Sequence, residues 1–488
     1  MNSHFFRGIL RNLSGKIILI LKYEDIIGLN SFTSSLKKPK FLTKKDNYIY
    51  LILILALFLR MGAFFSFAPW DVNIVNDKLL LSDGASYQNM ALGMMEGFDN
   101  GETFWAPGFP AFLAAVYSIF GVKPWVVLFL NCFISTFSVF LLYLIGKKLF
   151  TEKIALFAAL LLAIEPHQIV YTQTLFSENL FIPLILLFFL FFIKYLVEHQ
   201  RLLLAVAAVI LGLSMYFRPA TNFLFIPVAI SIFLYLKVTW MEKTKSILLF
   251  LFFLLITLSP WLIRNYMLHD HFGLSTNGGY NLLYIFVGSI YNNQYQMHPD
   301  STFKMLQNKV KEAGGTEINN PFILDQTEKQ VVFDLIQREP VKFIQNYISG
   351  CLNIYTSLSS YQISSILGLE GSYVLGKNFY GVSQLSQINY FLKERKIGTL
   401  IASGSVMAFI MISYLLTIAG LWRLNKDGRS KEMLMLFGMI IYFTLVVGTL
   451  GSSARFKLPI TPFYLVFAAY GIYSIFEIRK QKIGDNRK

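Results

Sequence analysis

Cysteine and charged residues are both scarce in this sequence. Two of its 488 residues are cysteine, and Asp, Glu, Lys and Arg together make up 15%. Cys132 and Cys351 match no metal-ligand or redox spacing, and Cys132 lies within an apolar run, which favours an unpaired buried thiol. The chain also contains no P-loop, no GxGxxG, no HExxH and no Asp-x-Asp pair in a strand–loop context. These absences argue against the common soluble nucleotide-dependent and zinc-dependent enzymes.

The shortage of acidic residues leaves a basic and very apolar chain. It has 43 Lys and Arg against 28 Asp and Glu, a formal charge of +15, 55% hydrophobic residues and a mean hydropathy of +0.54. A soluble protein of this length cannot bury so much apolar surface, and a β-barrel shows short alternating strands instead of long apolar runs. We therefore predict an all-α polytopic membrane protein, in which the positive charge marks topology and no nucleic acid is bound.

Apolar runs of spanning length dominate the chain. A shorter run near 154–164 ends at Glu165–Pro166, which predicts a span that stops early or continues as a broken helix. Together the runs predict about 10–13 transmembrane helices, with outer loops that carry surface helices near 84–96 and 109–120. The longer runs lie near 48–69, 124–146, 178–196, 201–216, 221–238, 246–263, 398–423, 432–450 and 456–477.

The distribution of Lys and Arg predicts the orientation. The segments assigned to the cytoplasm hold 26 of the 43 basic residues. This bias places both termini in the cytoplasm and the long loops outside, in a multi-pass protein of the plasma (inner) membrane. The predicted parts are a basic N-terminal segment (1–47), a transmembrane module expected to be catalytic (48–265) with its first outer loop (70–123), a large extracytoplasmic loop (266–397), C-terminal transmembrane helices (398–478) and a basic tail (479–488).

An acid stands at the entrance of the first outer loop. Asp83 and Tyr87 are four residues apart, so a surface helix would present both on one face. A carboxylate at this place suits an enzyme that works at the lipid headgroups, and Tyr87 is then a substrate contact. The alternative is that Ser82 or Asp83 only caps the helix, since both residue types are good N-caps.

Two further acids abut apolar runs at the outer boundary. Glu165, next to His167, and Glu178 would be costly at that depth unless they are paired, bound to a metal or used in catalysis. We predict that Glu165 and His167 contact substrate and that Glu178 is a site for a metal ion. The alternatives are a helix N-terminal acid preceded by a Ser177 cap, and a hydrogen-bonded interfacial histidine.

Several Lys and Arg residues at the predicted outer ends of spans are exceptions to the rule that positive charge is concentrated on the cytoplasmic side. Arg218, Arg264, Arg455 and Lys457 lie where short outer loops are usually poor in Lys and Arg. Arginine contacts phosphate through two parallel hydrogen bonds. Because these cations share the predicted outer side with Asp83, they predict a phosphate-binding site; snorkelling to headgroups is the alternative for any single one.

The order of these motifs resembles the GT-C superfamily of membrane glycosyltransferases. Within it, the chain is most similar to the bacterial group of protein O-mannosyltransferases and the lipid A aminoarabinose transferase, over about 48–265 and 398–477. The matching residues are Asp83 and Tyr87, Pro107–Gly108–Phe109–Pro110, Phe120–Gly121, the block YTQTLFSENLF at 171–181, Arg218–Pro219, Pro260–Trp261, Arg264–Asn265 and Arg455–Phe456–Lys457–Leu458–Pro459.

The resemblance implies a polyprenyl-phosphate-linked sugar donor and transfer, on the outer face, to a hydroxyl of a glycan, lipid or protein. It implies Asp83 as catalytic base, Glu178 as a second carboxylate near the donor phosphate, and Arg455 and Lys457 beside that phosphate. Single displacement with inversion is then expected. A divalent metal, Mg²⁺ or Mn²⁺, between Glu178 and phosphate is a further hypothesis. Protein mannosyltransferases usually carry Asp-Glu where this chain has Asp83–Gly84, which weakens protein as the acceptor.

Two other functions are compatible with the sequence. An O-antigen-type polymerase or ligase is also polytopic with a large outer loop, but its essential cations lie in that loop, here Arg338 or the cluster around Arg395. A transporter or flippase would favour inverted repeats with matching interrupted spans, and the sequence shows no such repeat.

Overall fold

The computed structural model describes residues 47–80, 83–97, 101–315, 319–366, 397–450 and 454–485. The predicted N-terminal segment falls almost entirely outside these ranges, as do the last three residues of the predicted tail. The chain divides into two units, Met1–Tyr50 and Leu51–Lys488. Of the first unit, only the opening turn of one helix is described.

The described residues form helices and connecting turns, with no strand among them. The predicted all-α class is therefore confirmed. The helices are α1 (Asn47–Phe67), α2 (Val72–Ile74), α3 (Asp83–Met95), α4 (Gly108–Phe120), α5 (Pro124–Leu149), α6 (Glu152–Ala163), α7 (Pro166–Val170), α8 (Glu178–Glu198), α9 (Arg201–Met215), α10 (Phe225–Tyr235), α11 (Trp240–His269), α12 (Asn277–Tyr280), α13 (Gly288–Gln294), α14 (Pro299–Glu312), α15 (Pro321–Arg338), α16 (Pro340–Thr356), α17 (Ser360–Ile366), α18 (Ile397–Lys426), α19 (Ser430–Val447) and α20 (Thr461–Asp485).

Six of the described helices are long and apolar enough to cross a membrane: α1, α5, α8, α11, α18 and α19. A seventh candidate is the bent pair formed by α6 and Pro166–Gln173. The remaining apolar runs form α9, α10 and α20, and the first two of these are only 15 and 11 residues long. At 1.5 Å per residue they rise roughly 17–23 Å, short of the ~30 Å hydrocarbon core. The number of long apolar helices in the described ranges is thus lower than the 10–13 predicted from the runs.

The predicted break near Glu165 is present as a bend of 55° between α6 and the segment that follows. Pro166 has no N–H to continue the helical ladder. The Arg60 guanidinium, buried in the first span, donates to the carbonyl of Ala163 at 3.1 Å and so satisfies the end of α6. The Glu165 carboxylate accepts from the Gln168 N–H at 2.6 Å and caps α7. Each new helix end at the bend therefore has a side-chain partner.

Close backbone contact between α18 and α20 organises the C-terminal half. A Cβ atom added at Gly420 would lie 1.9 Å from the Phe467 carbonyl oxygen, and one at Gly471 would lie 2.3 Å from that of Leu416. Small residues permit such approaches, which are common between membrane helices. The turn Ala454–Lys457, a 3₁₀ helix, precedes α20, and its Ala454 N–H donates to Ser357 Oγ at 3.0 Å.

The predicted first outer loop (70–123) is hydrogen-bonded to the start of the large loop (266–397). The helices predicted near 84–96 and 109–120 form as α3 and α4. The Thr276 N–H donates to the Thr103 carbonyl at 2.8 Å, which connects the first loop to the start of the second. Residues 277–356, here called the cap, form helices around an apolar core of their own that includes Leu283, Val287 and Leu306.

Candidate active site

A cavity of about 490 Å³ is lined by several separate parts of the chain. They are the start of α3, the loop at Trp105 and Ala106, Ser177, the segment after α9, the cap, the end of α19 and the turn that leads into α20. The lining contains both polar and apolar side chains. The polar lining includes Asp83, Tyr87, Arg218, Asn277, Asn281 and Arg455, and the apolar lining includes Phe217, Phe223, Leu282, Ile285, Val446 and Val447.

Arg455 joins two carboxylates beside the cavity. Its Nη1 lies 2.5 Å from Asp83 Oδ2, its Nη2 donates to Glu178 Oε2 at 3.2 Å, and its Nε donates to Glu178 Oε1. Arg218 also donates to Glu178 Oε1. The Glu178 side chain is 1% exposed, and that of Asp83 is 24% exposed. The network holds two negative and two positive groups, so its formal charge is balanced.

The electrostatics of the network favour a permanently charged guanidinium and a neutral phenol. Burial alone would lower the pKa of Arg455, but the carboxylates of Glu178 and Asp83 outweigh it and raise that pKa above its usual value. Burial raises the pKa of Tyr87 to about 12, although Arg455 opposes the shift. Tyr87 packs against Trp105 and Phe109, with ring centroids 4.8 and 5.0 Å apart. Its hydroxyl therefore remains a hydrogen-bond donor at neutral pH.

A tight backbone contact explains why glycine follows Asp83. A Cβ atom at Gly84 would lie 2.1 Å from the carbonyl oxygen of Leu79. The glutamate that mannosyltransferases carry at this place cannot fit without moving the backbone. Asp83 is the first residue of α3, whereas Ser82, the alternative cap, lies outside the described residues.

A close backbone contact lies next to Arg218 in the sequence. The Gly108 N–H donates to the Tyr216 carbonyl at 2.7 Å, and a Cβ at Gly108 would lie 2.7 Å from the same oxygen. This contact fastens the first outer loop two residues before Arg218.

Glu178 is the first residue of α8, but Ser177 before it has a helical backbone and its side chain makes no capping hydrogen bond. The alternative in which Ser177 caps this helix is therefore not observed.

Glu165, His167 and Lys457 form a second, fully buried cluster and do not line the cavity. His167 Nδ1 lies 3.0 Å from Glu165 Oε1. Burial lowers the pKa of Lys457 to about 8, against the attraction of Glu165. Gln168 Nε2 donates to the Leu458 carbonyl at 3.0 Å and fastens the chain beside the cluster.

This placement differs from the predicted roles of the three residues. In a 3₁₀ turn successive side chains point about 120° apart, so residues 455 and 457 lie on different sides of it. Arg455 points to the cavity and Lys457 into the helix bundle, where within the described ranges its Nζ has no hydrogen-bond partner. We therefore assign Lys457 no phosphate contact, and Glu165 and His167 no substrate contact in this cavity.

Arg264 is also absent from the cavity lining. Its Nη1 donates to the Glu102 carbonyl at 3.2 Å and to Asn265 Oδ1 at 2.6 Å, and its guanidinium lies 4.3 Å from the ring of Trp261. The hydrogen bond to the Glu102 carbonyl joins α11 to the first outer loop. The position therefore differs from the predicted donor-phosphate site, because the guanidinium is engaged with the loop backbone and an indole ring.

Several cavity residues were missed by sequence reasoning. Asn277, Gly278 and Asn281 come from the segment TNGGYN of the large loop 266–397, for which no role was predicted. Phe456 stands within a motif that carried the resemblance, and Trp105 lies two residues before another, but no pattern distinguished them as lining residues. Two asparagines around a glycine pair in an outer loop were the available signal for the first group.

A buried pair of acids fixes this part of the cap. Asp325 Oδ1 accepts from the Gly279 N–H at 2.6 Å, and Lys329 Nζ lies 2.5 Å from Asp325 Oδ2. Glu328 Oε2 approaches so closely that a Cβ at Gly279 would lie 2.8 Å from it. Burial, with a smaller contribution from Asp325, raises the pKa of Glu328 to about 7. The segment that lines the cavity thus rests on an acid that titrates near neutrality.

The described residues do not fit the hypothesised metal ion. They contain no group of three His, Cys, Asp or Glu side chains that could hold one. Both oxygens of Glu178 already accept from arginines, so guanidinium groups occupy the cationic positions beside this carboxylate. Arg338, the cation expected for a polymerase or ligase, is exposed at the end of α15 and away from the cavity, whereas Arg395 lies outside the described residues.

Residues 105–263 match the family model described as dolichyl-phosphate-mannose-protein mannosyltransferase. The matched range excludes both Asp83 and Arg455. No curated protein sequence matches the chain significantly.

Solved structures of membrane enzymes resemble the chain at low sequence identity. The oligosaccharyltransferase of Archaeoglobus fulgidus in the apo form has a TM-score of 0.50 at 12% identity, covering 91% of this chain and 52% of that one. The archaeal oligosaccharyltransferase AglB from Archaeoglobus fulgidus, in complex with an inhibitory peptide and a dolichol-phosphate, has a TM-score of 0.49, with the same identity and coverage. ArnT from Cupriavidus metallidurans in the apo state has a TM-score of 0.39 at 12% identity, covering 88% and 78%.

The chain spans about half the length of the archaeal oligosaccharyltransferase. The likeness to that enzyme concerns the fold of the shared part, and the family match concerns 105–263. Together they confirm the predicted resemblance: this is a multi-pass membrane protein with the fold of the GT-C superfamily of membrane glycosyltransferases.

Proposed function

We propose that the protein is a glycosyltransferase that moves a sugar from a polyprenyl-phosphate-linked donor to an acceptor hydroxyl. The observation that carries the proposal is the balanced network of Asp83, Glu178, Arg218 and Arg455 beside a cavity that also has apolar lining residues. The match of 105–263 to a family named for a dolichyl-phosphate-linked sugar donor supports the same class of donor.

Asp83 is the proposed base. Its carboxylate takes the proton of the acceptor hydroxyl as that oxygen attacks the sugar carbon from the face opposite the phosphate. The bond between the sugar and the phosphate breaks, and the phosphate leaves with the electron pair. The sugar carbon is inverted, and general-base assistance of this kind contributes about 10²–10⁴-fold in rate.

Arg455 and Arg218 are the proposed phosphate-binding groups. Preorganised cations at a developing negative charge lower the barrier most where water is excluded, and both guanidinium groups are less than 15% exposed. Glu178 holds the two arginines beside each other, and is therefore a positioning residue. When a phosphate arrives, it competes with Asp83 for Arg455, which releases the carboxylate to accept a proton.

The rest of the cavity suits a lipid-linked donor on the extracytoplasmic face. Its apolar lining residues, among them Phe223, Ile285 and Val446, offer a surface for the first isoprene units. Nucleotide-activated sugars are normally confined to the cytoplasm, so an activated sugar outside is most simply carried by a lipid. The short loops rich in Lys and Arg support the proposal that this end of the bundle lies outside.

Asp83→Asn tests the assignment of the base. In a deletion strain, mass spectrometry of lipid extracts first identifies the polyprenyl-phosphate sugar that accumulates. Membranes carrying the wild type or a variant are then supplied with this lipid. We expect Asp83→Asn to slow its consumption by at least 100-fold while leaving its apparent KM within a few fold. Asp71→Asn, an exposed acid of the same loop, is the matched control and should retain full activity.

Full transfer by Asp83→Asn would remove this residue as the base. Failure of any polyprenyl-phosphate sugar to accumulate in the deletion strain would overturn the proposed donor. A chelator added to the wild-type membranes completes the design. Unchanged activity is expected, because guanidinium groups stand where a cation is needed, and loss of activity restored by Mg²⁺ or Mn²⁺ would contradict that part of the scheme.

A further inference from the structure

A second, smaller cavity adjoins the first and has a different chemistry. We infer that it binds one neutral sugar residue of the acceptor, which makes the acceptor a glycan; this inference rests on the proposed function. Its volume is about 140 Å³, and it lies between α16, the segment 285–293 and the turn after α19. Its polar side chains are Ser289, Asn293, Asn346, Ser349, Asn353 and Thr449.

The lining contains amides and hydroxyls and no ionisable side chain. An amide or a hydroxyl both donates and accepts hydrogen bonds, as does each hydroxyl of a sugar. A phosphate or carboxylate would find no cation here, in contrast to the first cavity with Arg218 and Arg455. The first cavity therefore suits the charged group of the donor, and the second suits a neutral polyhydroxylated group.

The two cavities share part of their walls. Ile285 and Thr449 line both. A volume of about 140 Å³ is below the range of roughly 300–1,000 Å³ that holds a whole drug-sized ligand. The smaller cavity thus fits as a subsite for one ring of an extended molecule, whose next residue would present its hydroxyl towards Asp83.

Hydrogen bonds hold this subsite in shape without substrate. Asn346 Nδ2 donates to Ser289 Oγ at 2.9 Å and to the Phe286 carbonyl at 3.3 Å, and Ser289 Oγ donates to that carbonyl at 2.7 Å. On the adjoining side of α16, Tyr347 donates to the Leu445 carbonyl at 2.5 Å and so fastens the helix to α19. A rigid frame of this kind reduces the entropy lost on binding.

Two residues of α16 remain to contact a ligand. Ser349 and Asn353 are exposed, line the cavity and stand four residues apart, so they lie on one face of the helix. Neither takes part in the hydrogen bonds that fasten α16 to its neighbours.

A peptide is the less favoured occupant. Extended peptides are commonly bound by adding a strand to a sheet edge, and the described residues contain no strand. Charged peptide motifs are bound by clusters of opposite charge, which this lining lacks.

The double variant Ser349→Ala/Asn353→Ala tests the inference by equilibrium binding, which needs no donor and no turnover. The purified full chain in lipid nanodiscs is titrated with chitotriose, mannotriose and maltotriose, and with a Ser/Thr-containing hexapeptide. Binding is followed by saturation-transfer NMR. We expect at least one trisaccharide to bind, and the double variant to weaken it about tenfold or more, since two hydrogen bonds are lost. Gln345→Ala, exposed on the same helix and outside both cavities, should bind within twofold of the wild type.

Each result decides a different point. Binding to the wild type that the double variant retains places the sugar elsewhere and overturns the inference. Binding of the peptide alone, or of no probe, overturns it as well. Asp83→Asn should bind the same trisaccharide as the wild type does, so a failure of the proposed chemistry leaves the binding result interpretable. The thermal unfolding of the double variant should match the wild type, which separates lost binding from lost folding.

Discussion

Arg455→Met should strongly destabilise the protein as well as abolish transfer, because Arg455 neutralises two carboxylates at once. Its guanidinium contacts Glu178 twice and Asp83 once. The side chain of Arg455 is 14% exposed, that of Glu178 is 1% exposed and that of Asp83 is 24% exposed. Removing one partner of a buried ion pair costs about 3–5 kcal/mol, since the remaining charge is left without compensation. Arg218 still contacts Glu178 in the variant, so we expect the lower end of this range, about 3 kcal/mol.

A double-mutant cycle with Glu178→Gln measures the interaction. The free energy of unfolding is obtained by titrating the full chain in mixed micelles with SDS and recording tryptophan fluorescence. Because the combined variant removes both charges, it should be less destabilised than the sum of the single variants, by about 1–3 kcal/mol. Arg423→Met is the matched control. Its pair with Asp427 has exposures of 35% and 31%, and such exposed pairs contribute about 0–1 kcal/mol.

Additivity of the two single variants to within about 0.5 kcal/mol would refute the reasoning, because it would mean that the two side chains do not interact in the folded protein. Equal destabilisation by Arg455→Met and Arg423→Met would refute it too. Arg455→Lys separates charge from geometry. A lysine keeps the charge but cannot contact Glu178 through two nitrogens, so stability should be largely retained while donor use falls.

Two further substitutions test how the site is supported. Gly84→Ala should reduce transfer at least tenfold, because its Cβ would collide with the Leu79 carbonyl and displace the start of α3; Gly62→Ala, with open space around it, should be neutral in the same membrane assay. The pKa of Glu328, raised from 4.5 to about 7, implies that the folded protein binds a proton more tightly than the unfolded chain. Its contribution to stability is complete below about pH 4.5 and is lost as the pH rises through about 7. Glu328→Gln should therefore flatten the fall in melting temperature between pH 5 and pH 8, whereas a Glu312→Gln control on an exposed face should leave it as in the wild type.

The features that could be predicted from the sequence are those written in consecutive residues. Long apolar runs specified the class of fold, and the proline after Glu165 specified a break that the structure shows as a 55° bend. Three groups at the cavity, Asp83, Arg218 and Arg455, were also recognisable, because an acid or an arginine beside an apolar run is costly and stands out. Their roles in catalysis stay predictions until the variants are measured.

Other features depended on contacts between distant segments. Lys457 and Arg455 are two residues apart and looked equivalent, yet the turn that carries them directs one into the bundle and the other into the cavity. Arg264 shared its residue type and its boundary position with Arg218, but it binds the loop that contains Glu102. No local pattern separates these cases, because the direction of a side chain depends on the helices packed around it.

The amino-acid sequence alone therefore determined the all-α membrane class and an inventory of charged groups at the ends of the apolar runs. Hydrophobicity and charge act on each segment separately, so they can be read along the chain. Which of those charges meet was decided by the packing of α3, α8 and the turn before α20, which brings residues 83, 178 and 455 together across hundreds of positions. The same packing excluded Lys457 and Arg264 from the cavity and added Asn277 and Asn281 from the cap.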